Sequence, residues 1–408
     1  MYITKKYPYS CSSIRVALTE ASRAGTGVKL EIPNFARGGA GARRSGSASR
    51  PPRRPRARAH AESRPLSEAD GYRYVDVRPE DGAQGVPGVP YPAHLHPEAV
   101  RLLRRSFALN PGDVAVCTFP KCGTTWMQQI VLLLLRGGEP LPGPPRLAKR
   151  SPWLERLAST LPEPSLGALE AAVARLRLSA APQGGRCVFK THARPRLVPW
   201  MGGPSGAGGG RVIIVSREPK AAAVSAFHHS QGLPPPLRFR GSQAHFLEAW
   251  AGGLCTFGGG DFWSWHAEWA EAYRDLPGCI LWVTFEGLKR DLPGEVARIA
   301  AFLDVPAKPG DEIVRRVANA AGFEAMRVAL TAEEDAAAEA GNRFVRRGRV
   351  REGRTEGWRD GMSVAEAARI DAITRERFGS NAFLLSKVMC GGVDEGQGRE
   401  QGTRVGSG

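Results

Sequence analysis

At 408 residues the chain is long enough to bury a sizeable core as one large α/β domain or two average ones, and its longest aliphatic run, Ile130 to Leu135, is too short to cross a bilayer. The formal charge of +17 is unevenly placed: residues 1–61 hold 13 Lys or Arg against the two acids Glu20 and Glu31, so 13 − 2 = +11 sits there and +6 is left for the rest. The basicity belongs to the terminus and gives no reason to infer nucleic-acid binding by the remainder.

In chain order, residues 1–70, rich in Arg, Ser, Ala and Gly, read as a disordered basic tail or an organelle transit peptide. Residues 71–388 read as a single catalytic domain and 389–408 as a second disordered tail. A short helix is expected from His94 to Leu103. His94 and His96, two positions apart, share a face only in a strand and are not read as metal ligands. The seven cysteines contain no Cys-x-x-Cys pair and read as reduced, mostly buried thiols.

Val114 to Phe119 is a β-branched run that predicts a buried strand. Pro120 and Gly123 then force a turn, and Thr124 to Arg136 leaves it as a helix. Backbone N–H groups at a helix start have no partner within the helix, and together with the helix dipole they attract an anion. Gly123 lets the backbone approach such an anion, Lys121 adds a cation, and the hydroxyls of Thr124 and Thr125 can donate to its oxygens. The order differs from the common nucleotide loop, whose Lys follows its last Gly and precedes a Ser or Thr.

A Pro-rich connection, residues 140–152, leads to a helix over Leu166–Leu178 and a strand over Arg186–Thr191 that closes on His192. Gly202 to Gly210 is a glycine-rich loop. Arg211–Ser216 predicts a third strand and Pro219–His229 a helix with Pro at its first position, where no N–H is missed. A Trp-rich helix over Trp263–Leu276, a strand over Cys279–Thr284 and a helix over Pro293–Leu303 complete the alternation. The pattern implies an α/β fold with a central parallel sheet covered by helices on both faces, which binds ligands at the C-terminal ends of its strands.

Two further clusters fall at such ends. In Lys190-Thr191-His192, an imidazole with a reference pKa of about 6.5 is neutral at pH 7 and can accept a proton. Arg217 and Ser225 lie eight residues apart, two helical turns, so a guanidinium and a hydroxyl can face one phosphate.

The string Thr118-Phe-Pro-Lys-Cys-Gly-Thr-Thr-Trp126 resembles the 5′-phosphosulfate loop of the cytosolic-type sulfotransferases, with Cys122 in place of the usual Ser. The resemblance runs over roughly Gly71 to Leu385 and implies a P-loop-like central sheet and 3′-phosphoadenosine-5′-phosphosulfate (PAPS) as co-substrate. It implies His192 as general base, Lys190 on the transferred sulfuryl group and Lys121 on the leaving phosphate. Cys122, Gly123, Thr124 and Thr125 would then cradle the donor, Trp126 and Phe323 stack on its adenine, and Arg217 and Ser225 take its 3′-phosphate. Glu218 stands where the family usually has Asn, Phe285 where it has Tyr, and Ala321-Gly322-Phe323 where it has Thr-Ser-Phe.

For the family's last phosphate loop two registers compete. Arg351-Glu352-Gly353 keeps the spacing to Trp358 but sets an acid beside the phosphate. Arg346-Arg347-Gly348 keeps the chemistry at the cost of a five-residue insertion, and is preferred. Arg359 to Ala368 matches the short dimer motif of animal members only loosely, which implies a monomer or a weak homodimer.

The resemblance thus implies a metal-independent transfer to the hydroxyl or amine of a small acceptor, without nucleic-acid or membrane partners. The expected setting is cytoplasmic, or a chloroplast or mitochondrion if the tail is a transit peptide. Trp153, Phe227, Phe246 and Trp263 are candidates to line an acceptor pocket. Two other readings stay open. A P-loop nucleotide kinase is weakened by the residue order of the loop and the lack of an evident Mg²⁺-holding Asp. A catalytically degenerate nucleotide-binding scaffold is motivated by Glu352 and the lost Tyr and Thr hydroxyls.

Overall fold

The computed structural model describes residues 63–65, 73–77, 89–92, 94–141, 147–163, 165–197, 209–233, 238–254, 259–339 and 354–389. Strands β1 (Ser63–Pro65), β2 (Arg73–Val77) and β3 (Val89–Pro92) form a small antiparallel sheet, which starts eight residues ahead of the expected domain boundary at Gly71. Strands β4 (Val114–Thr118), β5 (Val188–Thr191), β6 (Arg211–Ser216) and β7 (Ile280–Thr284) form the central sheet in the order β5-β4-β6-β7, every pair parallel.

The helices are α1 (Pro97–Ser106), α2 (Thr124–Leu135), α3 (Leu147–Arg150), α4 (Leu154–Ser159), α5 (Leu166–Ser179), α6 (Pro219–Gln231) and α7 (Gln243–Ala251). They continue with α8 (Phe262–Asp275), α9 (Phe285–Arg290), α10 (Leu292–Phe302), α11 (Glu312–Ala320), α12 (Phe323–Glu339), α13 (Val364–Phe378) and α14 (Ala382–Val388).

Alternation along each strand sends side chains to two separate cores, as expected of a parallel sheet covered on both faces. On one face Val114, Val116, Ile213 and Val215 pack with α2, α10, α11 and α12. Helix α2 is apolar almost all round, and Met127 through Leu134 are buried, so it is an interior helix rather than a surface one. On the other face Ala115, Cys117, Val212 and Ile214 pack with α1, α7, α8, α13 and α14, where Trp250, Trp263, Trp265 and Trp269 are fully buried.

Register decides where the site can be. Cys117 pairs with Thr191, Thr118 with Val215 and Ser216 with Thr284, so β4, β5, β6 and β7 all stop along one edge. The residues that follow, Phe119 to Gly123, His192, Arg217 and Phe285, therefore emerge side by side. Because β4 sits between β5 and β6, its loop is flanked by His192 on one side and Arg217 on the other.

The expected elements fall within one to three residues of the observed ones. The strand expected to reach Phe119 stops at Thr118, because the Phe119 ring turns down among Trp250, Phe262 and Trp265. Helices α3, α4, α7, α9 and α11 to α14, and the sheet β1–β3, are not legible as elements in the sequence, and α3 lies within the expected Pro-rich connection 140–152. The glycine-rich stretch Gly202 to Gly208 lies outside the described residues, as do both expected tails apart from Ser63–Pro65 and Met389.

Candidate active site

The loop after β4 is built from unusual backbone. Lys121 has φ 73° and Gly123 φ 109°, both in the left-handed region, which a side chain occupies only under constraint. At Lys121 part of the constraint is visible: its carbonyl accepts a hydrogen bond from Arg217 Nη1 at 3.1 Å. At Gly123 a Cβ would meet Phe285 Cδ2 at 3.1 Å, and the positive φ strains any side chain placed there, which favours glycine. Cys122 donates its N–H to the Phe119 carbonyl, and its thiol is fully buried, which pushes its pKa far above the ordinary range. Cys122 thus shapes the turn from beneath and stands outside the cavity lining.

His192 follows β5 and is 8% exposed. Its Nδ1 lies 2.9 Å from the carbonyl oxygen of Thr118, a pure acceptor, so Nδ1 carries the hydrogen and Nε2 the lone pair. Thr118 Oγ1 in turn bonds Thr124 Oγ1 at 2.6 Å, which ties the imidazole to the first residue of α2. Burial is the main cause that lowers the His192 pKa to about 3. Lys190 and Lys121 lower it further, while the Thr118 carbonyl acts against them.

The backbone that presents His192 is clamped from two sides. Glu155, 2% exposed, accepts from Thr191 Oγ1 at 2.6 Å and from His192 N at 3.4 Å, and Trp265 Nε1 donates to the His192 carbonyl at 2.9 Å. Burial pushes the Glu155 carboxyl up. Trp153 is bridged to Lys190 in parallel, with Lys190 N donating to Pro152 O at 3.0 Å. The Trp153 ring meets the His192 ring edge-on at 5.3 Å and lies 5.5 Å from Lys190 Nζ, a cation–π contact.

Across the loop, the guanidinium of Arg217 lies 4.2 Å from the centre of the Phe285 ring, so the ring in the expected Tyr position serves as its platform. Trp126 packs edge-on against the same ring and donates its indole N–H to the Ala321 carbonyl at 2.7 Å. Arg217, Phe285, Trp126 and Ala321 border one cavity of about 330 Å³ with Trp153, Lys190 and His192. Of the residues expected at a site, Lys121, Gly123, Thr124, Thr125, Trp126, Lys190, His192, Arg217, Ser225 and Phe323 line it together. Arg346, Arg347, Gly348 and the alternative 351–353 lie outside the described residues.

Of the four aromatic candidates for an acceptor pocket, Trp153 lines the cavity, while Phe227, Phe246 and Trp263 are buried in the core. Lining residues that the sequence did not single out include His229, Lys289, Arg354 and Gly357. Lys289 stands 5.8 Å from the Phe323 ring. Glu155, which clamps residues 36 and 37 positions away, had no local signal that could have marked it.

The sulfotransferase domain family matches residues 111–382. Among relatives, sulfotransferase 2B1 of Mus musculus is 28% identical over 297 residues, spanning 71% of this chain and 78% of that protein. Cytosolic sulfotransferase 12 of Arabidopsis thaliana is 26% identical over 308 residues, 71% of this chain and 84% of its own. Two solved structures share the fold. Mouse sulfotransferase SULT7A1 complexed with PAP has a TM-score of 0.55 at 19% identity over 74% of this chain and 96% of that one. Retinol dehydratase in complex with androsterone and inactive cofactor PAP has a TM-score of 0.56 at 24% identity over 76% and 91%.

Two outcomes follow from the geometry. Gly123→Ala places a side chain at positive φ against Phe285 and is expected to cost about 1–2 kcal/mol of stability and at least about ten-fold in affinity for adenosine 3′,5′-bisphosphate, read by urea unfolding and calorimetry. In the ligand-free protein, ¹⁵N NMR of the His192 ring is expected to show the neutral Nδ1–H form from about pH 8 to about pH 5. A midpoint near the ordinary value of about 6.5 would contradict the buried setting. The sign for stability follows: with the folded pKa depressed, the unfolded state takes up the proton first, so this group's contribution is intact above about pH 6.5 and is lost as pH falls toward about 3.

Proposed function

The chain belongs to the sulfotransferase family, and from that premise we propose how its residues carry sulfuryl transfer from PAPS to a hydroxyl or amine of a small acceptor. The donor supplies the sulfuryl group and a phosphate leaving group. The cavity fits such a molecule in three respects. It carries the cations Lys121, Lys190 and Arg217, it has a loop whose Gly123 holds a positive φ that favours glycine, and it has aromatic side chains at Trp126 and Phe323.

The N–H groups of Gly123, Thr124 and Thr125 at the start of α2, the Thr hydroxyls and Lys121 would hold the 5′ end. Since the Cys122 N–H is already bonded within the turn, Cys122 supports the cradle without donating to the anion. Arg217 and Ser225 would hold the 3′-phosphate, and Arg346, Arg347 and Gly348 are proposed as its remaining partners. Lys190 would hold the sulfuryl oxygens. Its positive charge beside His192 also disfavours the imidazolium and so keeps Nε2 able to accept a proton in the resting state.

The observation that carries this reading is the hydrogen bond from His192 Nδ1 to the Thr118 carbonyl, at the foot of the anion loop. It points the basic Nε2 away from the sheet edge and fixes the base relative to the cradle. His192 Nε2 would take the acceptor's proton as its oxygen or nitrogen becomes nucleophilic, while Lys121 and the loop N–H groups stabilise negative charge on the departing phosphate.

For the acceptor we favour a small apolar alcohol or phenol, packed against Trp153 next to Lys190 and His192. Complexes of the structurally similar retinol dehydratase with androsterone and with retinol support that class. The working unit is proposed to be a monomer or weak homodimer, because Arg359 to Ala368 matches the dimer motif only loosely. A cytoplasmic setting is inferred from relatives named cytosolic sulfotransferases. The kinase reading is not favoured, and a degenerate scaffold would bind nucleotide without transferring anything.

Transfer of radiolabelled sulfate from PAPS across a panel of phenols, sterols, sugars and amines tests this directly. His192→Ala is expected to lose at least about 10²-fold in turnover on the best acceptor while still binding adenosine 3′,5′-bisphosphate. Wild-type-like transfer by the variant would remove His192 as the base, and no transfer to any acceptor by the intact protein would favour the scaffold.

A further inference from the structure

Lys220, the second residue of α6, belongs to no part of the chemistry described above, yet its side chain is only 9% exposed. A nearly buried ammonium persists only where its charge is met, and here three partners meet it. Its Nζ is 2.9 Å from Glu218 Oε1, ion-paired with Asp371 on α13, and 4.8 Å from the centre of the Trp358 ring. Trp358 also has the Arg359 guanidinium 4.7 Å from its ring centre. Glu218 is anchored in its own right: its Oε2 accepts from Ala221 N at 2.8 Å at the start of α6, and its N–H donates to Glu286 at 3.1 Å.

One ammonium therefore joins the end of β6, the start of α6, α13 and the short turn Gly357–Asp360. That turn is part of the wall of the nucleotide cavity, since Gly357 and Trp358 line it together with Arg354 just ahead of the turn. Arg217 immediately precedes Glu218. We propose that Lys220 is a positioning residue for the co-substrate: it holds the wall at Arg354 to Trp358 against the strand end that carries Arg217, without touching the nucleotide. Without it, the Glu218 and Asp371 carboxylates lose the charge that both of them meet, and the ring of Trp358 loses a cation from its face. Lys190 sits on β5 and His192 directly follows it, on the far side of β4, and their clamps through Glu155, Trp153 and Trp265 do not involve Lys220. Loss of Lys220 should thus weaken donor binding and leave the chemical step largely alone.

This rests on the reading of the cavity as the PAPS site, and the experiment separates the two. Adenosine 3′,5′-bisphosphate is titrated calorimetrically into full-length wild type, Lys220→Met, Lys220→Arg and Asp371→Asn, and kcat and KM for PAPS are measured on the best acceptor. Lys220→Met is expected to bind about ten-fold more weakly with KM raised in step and kcat within about two-fold, and Lys220→Arg to restore most of the affinity. Should Lys220→Met fail to fold, Asp371→Asn carries the test with an expected loss of about three-fold. Unchanged affinity in the folded variants, or equal loss of kcat that Arg does not rescue, overturns the positioning role. Failure of the wild type itself to bind the bisphosphate overturns the donor reading, and this inference with it.

Discussion

A single hydrogen bond, from His192 Nδ1 to the carbonyl of Thr118, joins the imidazole that follows β5 to the strand that launches the loop at Lys121. It exists only because β4 and β5 are adjacent, parallel and in a register that pairs Cys117 with Thr191. Slip the pairing by one residue and the imidazole would turn to the opposite face of the sheet. Thr118 extends the connection through its hydroxyl to Thr124, so the imidazole, the strand end and the first turn of α2 form one hydrogen-bonded unit. Such preorganisation is what the proposed transfer would draw on, because none of these groups has to move to find its partner.

The electrostatic setting follows from the same arrangement. Lysines and an arginine border a cavity whose base is buried, which suits a polyanionic donor and at the same time disfavours a second positive charge on His192. Acids are kept beneath that surface. Glu155 serves the backbone of Thr191 and His192, Glu286 receives the Glu218 N–H, and burial raises the carboxyl pKa of both. Glu218, in the position where the resembling family has Asn, is turned away from a phosphate role by its bonds to Ala221 and Lys220. The acid in the Asn position is thereby absorbed into the scaffold of the neighbouring wall.

Much of this could be read from the sequence, for a physical reason. Strands buried on both faces are continuous apolar runs, and the residues that punctuate them, Pro120, Gly123, His192 and Arg217, stand at the strand ends where ligands bind in such sheets. What escaped was what depends on contacts far apart in the chain. Glu155 acts on residues 36 and 37 positions away, and Lys220 finds Asp371 across 151. Cys122 was placed with the donor-binding residues from its position in the loop, yet its side chain points into the core, because the left-handed turn at Lys121 sends the next residue downward. Aromatic candidates fared similarly: Trp153 reaches the cavity through its bridge to Lys190, whereas Phe227, Phe246 and Trp263 sit on helix faces that pack inward.

The account stands on three strand ends gripping one doubly phosphorylated nucleotide beside a neutral imidazole. A crystal structure of the protein with adenosine 3′,5′-bisphosphate measures this most directly. The account places the 5′-phosphate within hydrogen-bond reach of the N–H groups of residues 123–125 and the 3′-phosphate on Arg217 and Ser225, with His192 Nε2 facing the open side of the 5′ end. A nucleotide bound elsewhere, or bound in the cavity with its 3′-phosphate away from Arg217, would contradict it.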